Sequence, residues 1–186
     1  LLSQECDTSV VSFPDIKNGW VKLNAGHIAL LRVVYPEQWL EQFKDAVVWK
    51  ELPSIDRLGL LNDLYALTRA GRVPTVQLLS FLGAYTREED PEVWEEILAV
   101  LSGLSRLMPP GTQTRTHFDA YARNILTHVV REKGWEEYAE ESHTHKMLRP
   151  RLLAAYGKHG DKATLEEANR RFAVFVRERP FIVCSS

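Results

Sequence analysis

Six histidines, two acid clusters and a few charges set among apolar residues are the positions in this sequence that could do chemistry. His143 and His145 lie two residues apart in a polar stretch, a spacing that could supply part of a metal site. Zinc catalysis needs three protein ligands and an open coordination position. No cysteine or paired carboxylate stands at ligand spacing beside these two, so they read as exposed histidines. His117 and His128 are eleven residues apart and share one helix face, where they read as surface residues. Glu88-Glu89-Asp90, and Glu136-Glu137 with Glu140-Glu141, could pair carboxylates for acid–base work. Their positions at helix starts or in loops predict solvated acids instead. There is no H-E-x-x-H, no G-x-S-x-G, no Walker loop and no glycine-rich dinucleotide turn. No catalytic residue and no metal ligand is therefore assigned.

Three charges say more. Arg32 interrupts an apolar run, Asp63 lies inside the most apolar helical stretch, and Arg57 sits on that same stretch. Groups in such company are buried only when paired. The reading favoured is a structural pair in which Arg32 reaches an acid of the first long helix, Asp63 or Asp56. Breaking such a pair, if buried, costs about 3–5 kcal/mol. The rival reading leaves these charges in solvent between apolar neighbours.

The elements that would hold them change character along the chain. Trp20 to Asn24 alternates apolar and polar, the period of a half-buried strand. A turn follows at Asn24-Ala-Gly26, and a second strand is expected over about 28–35, ended by Pro36. A hairpin alone is marginal in water, so it should belong to a larger sheet.

From Pro36 onward the period is helical. A short helix carries Trp39, Leu40 and Phe43, and a longer one, capped by Ser54, presents Leu58, Leu61, Leu64 and Leu67 and stops at Gly71. A third is expected from Thr75 to Tyr85. Asp90-Pro91-Glu92 starts a fourth, and a fifth runs from about Thr114 to Lys133 and closes at Gly134. Met147 to Tyr156 predicts a sixth with Pro150 in its first turn or at a kink. Thr164-Leu-Glu-Glu167 reads as a capping box opening the last. Trp39, Trp94 and Trp135 fall on apolar faces, as core residues do. The sum is a mainly α antiparallel helical stack, a HEAT-like α-α superhelix, preceded by a β-hairpin.

Bulk properties exclude several classes. With 45% hydrophobic residues the chain can build a core, and a formal net charge of −2 gives no reason to expect nucleic acid or an anionic membrane as partner. No apolar run approaches the ~20 residues of a membrane span. Leu1 to Val11 has no basic n-region, so no signal peptide is expected. Cys6 and Cys184 read as free thiols in a reducing compartment, which points to the cytoplasm. The Leu-Leu start without Met favours a piece of a longer chain.

The sequence also resembles a known family. Gly19-Trp-Val-Lys-Leu-Asn-Ala-Gly26 and Leu31-Arg-Val-Val-Tyr35 are similar to the strand pair that ends the β-sandwich of the gluzincin zinc aminopeptidases. Leu52 to Gly71 resembles the first long helix of their C-terminal domain. Tyr85 to Trp94 is similar to the family's acidic turn, and Gly134-Trp135 to its Gly-Trp at a helix end. Gly160 to Phe172 resembles the puromycin-sensitive branch in particular. The order and spacing of these motifs carry the likeness from about Trp20 to Val176. Two positions depart from the family's pattern: Leu31 replaces the aromatic of Gly-x-Tyr-Arg, and Pro150 falls within the Leu-Arg helix.

The resemblance implies that residues 1–36 end a β-sandwich domain and residues 37–186 begin the helical C-terminal domain of a four-domain parent. It implies a zinc motif H-E-x-x-H and a G-A-M-E-N loop elsewhere in that parent, neither of which is in this sequence. The expected role is a non-catalytic wall that encloses peptide substrates, packed on the catalytic domain of the same parent chain, with zinc as the parent's cofactor and none bound here. The alternatives are an independent helical-repeat scaffold that binds proteins, and a small enzyme built on the acid clusters.

Overall fold

The structure, a computed structural model, describes residues 20–178. Seven α-helices follow a short 3-10 turn: α1 (Glu37–Val48), α2 (Ser54–Arg69), α3 (Thr75–Leu82), α4 (Pro91–Arg106), α5 (Gln113–Lys133), α6 (His143–Lys158) and α7 (Lys162–Glu178). A second 3-10 turn, Gly83–Arg87, continues α3. The mainly helical stack expected from periodicity is what forms. Cys6 and Cys184 lie outside the described residues, as does the segment Leu1 to Val11.

Connections are short, so neighbours in sequence reverse direction and alternate helices share a layer. α2 packs on α4 and α4 on α6, while α1 and α5 pack on the Gly83–Arg87 turn. α5 also lies along α6, and α7 is held by α6. Between the layers lies one core in which Phe43, Phe81, Tyr85, Trp94, Ile97 and Ile125 are fully buried. Fully burying such side chains contributes about 1.5–3 kcal/mol each.

Helix ends follow the sequence in part. The Asp90 carboxylate accepts the backbone N–H groups of Glu92 and Val93 at 2.9 and 3.4 Å, with Pro91 at the first helical position. Gly71 and Gly134 take positive φ, 70° and 58°, where the chain turns after α2 and α5. Other boundaries differ. Pro53, already extended, occupies the cap position of α2, and Ser54 is its first helical residue. α3 stops at Leu82 because residues 83–87 tighten into a 3-10 turn. There Tyr85 Oη donates to the Arg57 carbonyl at 2.7 Å.

α6 begins at His143, capped by Ser142, so Pro150 stands in mid-helix and leaves the Lys146 carbonyl without its usual partner. Asp161, not Thr164, caps α7: its Oδ1 accepts the Thr164 N–H at 2.9 Å, and Thr164 itself is buried.

Residues 20–36 depart most from expectation. Among the described residues no strand forms, and the segments 20–24 and 28–35 do not make a ladder. Side chains close the loop instead. Tyr35 Oη accepts the Leu23 N–H at 2.9 Å and donates to the Leu23 carbonyl at 3.2 Å. The Asn24 amide holds both the N–H and the C=O of Ala29, at 2.9 and 3.0 Å. Asn24 and His27 adopt left-handed φ of 51° and 54°, which breaks the extended run a ladder needs. The physical reason is partnership: an alternating segment becomes a strand only beside another strand, and here its neighbours are helices. Trp20, Val33 and Tyr35 pack into the helical core.

Candidate functional site

Arg32, Asp63 and Asp56 occupy the seam between residues 20–36 and α2. Arg32 Nη1 lies 2.9 Å from Asp63 Oδ1, and the second Asp63 oxygen accepts the buried Val33 N–H at 3.2 Å. Arg32 also meets Asn62, which donates to Glu96 on α4 at 3.0 Å. Asp56 does not meet Arg32. It accepts the Gly26 N–H at 2.7 Å and lies 3.6 Å from Lys22 Nζ.

The two members of the Arg32–Asp63 pair are unequal: the Asp63 side chain is 4% exposed and that of Arg32 46%. Asp63→Ala should therefore cost about 2–3 kcal/mol, since it orphans a buried N–H. Arg32→Met, with its charge half in water, should cost about 1 kcal/mol. Urea midpoints of the two variants check this, and equal losses would overturn it.

Arg57 finds a different acid. Its Nε and Nη2 donate to the two Glu88 carboxylate oxygens at 2.7 and 2.8 Å, and its Nη1 to the Leu52 carbonyl at 2.6 Å. The expectation of solvated acids at Glu88-Glu89-Asp90 is thus corrected for Glu88, which is buried. A bidentate guanidinium offsets its desolvation, and the Glu89 and Asp90 N–H groups add two further bonds. In the other cluster, Glu141 pairs with buried Arg149, Glu136 with Arg171 and Glu137 with Lys146. These acids are tied to cations and do not converge on one another.

The histidines part ways as well. His145 Nδ1 lies 3.0 Å from Ser142 Oγ at the start of α6, and His128 lies 3.8 Å from Glu132 on an exposed face. Among the described residues no three His, Cys, Asp or Glu side chains converge as a metal site.

Sequence reasoning missed a groove across the layer of α2, α4 and α6. Arg69, Arg106 and Lys158 stand in the last turns of these three helices, and all three line one cavity of about 460 Å³. Arg151 and His159 line it too. A second cavity of about 500 Å³ shares Tyr65, Arg69 and Arg106. The Tyr65 hydroxyl lies over Gly103, where a Cβ would fall 1.9 Å from it, so only glycine admits the ring. The available signal was a basic residue ending each alternate helix, but that is also what a helix dipole favours.

Beneath the groove, His159 is 3% exposed, with Nδ1 2.7 Å from Asp119 Oδ1 on α5. Arg115 Nε holds both Asp119 oxygens at 2.9 Å. Burial pushes Asp119 up, but the hydrogen bonds from His159 and Arg115 outweigh it and hold the carboxyl below its usual range. Burial pushes His159 down, and the Asp119 bond only partly opposes this.

The family model described as "ERAP1-like C-terminal domain" matches residues 20–181. The chain belongs to that family. Among proteins similar to this ERAP1-like C-terminal domain, Aminopeptidase M1-A of Oryza sativa subsp. japonica is 32% identical over 164 residues, covering 86% of this chain and 18% of that protein. Aminopeptidase M1 of Arabidopsis thaliana is 30% identical over 175 residues, 92% of this chain and 20% of that protein. The puromycin-sensitive aminopeptidase of Caenorhabditis elegans is 28% identical over 163 residues, 86% of this chain and 17% of that protein. The chain thus spans about a fifth of the length of the relatives it matches. Among its described residues, no helix of this ERAP1-like domain is long and apolar enough to cross a membrane.

Proposed function

We propose that the chain is the helical wall of a zinc aminopeptidase that removes N-terminal residues from peptides in the cytoplasm, with zinc and its ligands on parts of the parent outside these 186 residues. The observation that carries this reading is the match of most of the chain to aminopeptidases several times its length. In this reading residues 37–186 begin the helical domain that closes over the peptide, and the segment before them joins it to a β-sandwich domain. Exposed apolar residues at both ends support larger partners. Ile28 and Leu30 are 85% and 107% exposed on the first segment, and Phe172 is 66% exposed on α7. Such clusters mark surfaces that pack against something, here the catalytic domain and the rest of the wall.

The wall acts by shape and charge: it limits which peptides reach the metal, while the zinc supplies an activated water when bound in the parent. The 186-residue chain is expected to show no turnover of an aminoacyl reporter and less than stoichiometric zinc by metal analysis. One tightly held zinc per chain, with turnover that a chelator abolishes, would sink the proposal.

A further inference from the structure

The groove over α2, α4 and α6 gathers more positive charge than helix capping requires. Arg69, Arg106 and Lys158 have no carboxylate partner among the described residues. Arg151, the fourth cation, is paired with Glu95. No acid lines either cavity. Each basic residue alone is accounted for by the negative end of its own helix, worth about 0.3–1 kcal/mol. Gathering three such ends at one groove is a property of the layer, and like charges there repel unless an anion lies between them.

The groove also has a built floor. His159 is buried, lines the groove, and commits its Nδ1 to Asp119 on α5. Among the described residues no group hydrogen-bonds its Nε2. From α5 the histidine meets Asp119, which Arg115 also holds, and Arg123, which donates to its carbonyl. Lys158 and Arg151 of α6, Arg106 of α4 and Arg69 of α2 line the same groove as the histidine. Asp161, two residues on, is turned away to cap α7.

We propose that this groove binds an oxyanion of the sulfate or phosphate class, and that binding is coupled to proton uptake by His159. Cations from three helices line the groove, so an anion with three or more oxygens can meet more of them than a planar carboxylate can. Burial, with the cations Arg115 and Lys158, holds His159 below the ordinary histidine range against the pull of Asp119. An anion beside Nε2 removes part of that penalty and raises the histidine's pKa. By reciprocity the protonated groove holds the anion more tightly, and one pKa unit of coupling is a factor of about ten. The site is argued from this chain alone and stands or falls independently of the aminopeptidase reading.

Sulfate is the probe, because its charge is constant over the range in which histidine titrates. Its affinity for the 186-residue chain should be about tenfold higher near pH 5.5 than near pH 8. The His159 ring resonances, followed by NMR, should titrate about one unit higher in saturating sulfate. Arg69→Gln with Arg106→Gln should weaken binding at least about tenfold at both pH values. His159→Gln should bind with one pH-independent affinity near the wild-type value at high pH. If that variant does not fold, the wild-type ring titration decides. Inorganic phosphate and glycerol phosphate, compared at high pH, tell a free anion from a phosphate group on a larger ligand; binding by either supports the site. Absence of sulfate binding, a His159 titration that sulfate does not move, or acetate binding as tight as sulfate would overturn it.

Discussion

Glu88→Ala should lower the unfolding free energy by about 3–5 kcal/mol, among the largest effects of any single side-chain truncation in this chain. Arg57 and Glu88 are 6% and 4% exposed, so removing the acid leaves a guanidinium charged, buried and unpaired. The same carboxylate accepts the N–H groups of Glu89 and Asp90, so two backbone donors lose their partner with it. The loss extends beyond the pair. Trp94 Nε1 donates to the Glu88 carbonyl at 2.9 Å, and Tyr85 Oη donates to the Arg57 carbonyl, so α2, the 83–87 turn and α4 meet at this point.

Urea denaturation checks the magnitude, with an unchanged slope showing that the two-state reading holds. Replacing both partners, Arg57→Met with Glu88→Leu, should cost clearly less than Glu88→Ala alone, because no charge is then stranded. If the double variant is as unstable as the single one, the loss comes from shape and not from an orphaned charge.

The second large effect is expected at Phe43→Ala, also about 3–5 kcal/mol. Phe43 is fully buried, 5.3 Å from the Trp20 ring and 4.9 Å edge-on from Tyr35. Each aromatic pair adds about 0.5–1.5 kcal/mol beyond area burial. Tyr35 in turn carries both hydrogen bonds that close the loop to Leu23. Removing Phe43 therefore loosens residues 20–36 from α1 first. Amide hydrogen exchange should quicken at Leu23 and Val33 more than at amides in the middle of α5. Uniform quickening along the chain would show that this segment is not a separable unit of stability.

The two variants probe different kinds of legibility. Phe43 stands on an apolar stripe whose period already marks α1, and local pattern places it inward. Glu88 stands beside two other acids at a helix start, where solvated carboxylates are ordinary. Nothing local distinguishes the acid that is buried from its neighbour Glu89, whose side chain is 67% exposed and pairs with Lys50. The cue was on the other side: Arg57 lies on an apolar helix and needed an acid, but its partner is 31 residues away. His159, next to Lys158 at the end of α6, carried no cue at all, because its partner Asp119 is 40 residues away on another helix.

Helix order, the inward faces of α1, α2, α4 and α5, the Asp90 cap, the glycine stops and the family motifs followed from the sequence alone. Each rests on interactions within about four residues, where spacing and rotamer chemistry suffice. Tertiary structure alone decided that residues 20–36 close through Tyr35 and Asn24 instead of a β-ladder, because a strand needs a second strand beside it. It also decided that Arg57 takes Glu88, that Asp56 takes Gly26 and Lys22, and that three helix ends meet in one cationic groove. A charge on a helix face can be paired or solvated with equal local propriety. Which of the two occurs depends on what the packing of distant helices brings within about 3 Å of it.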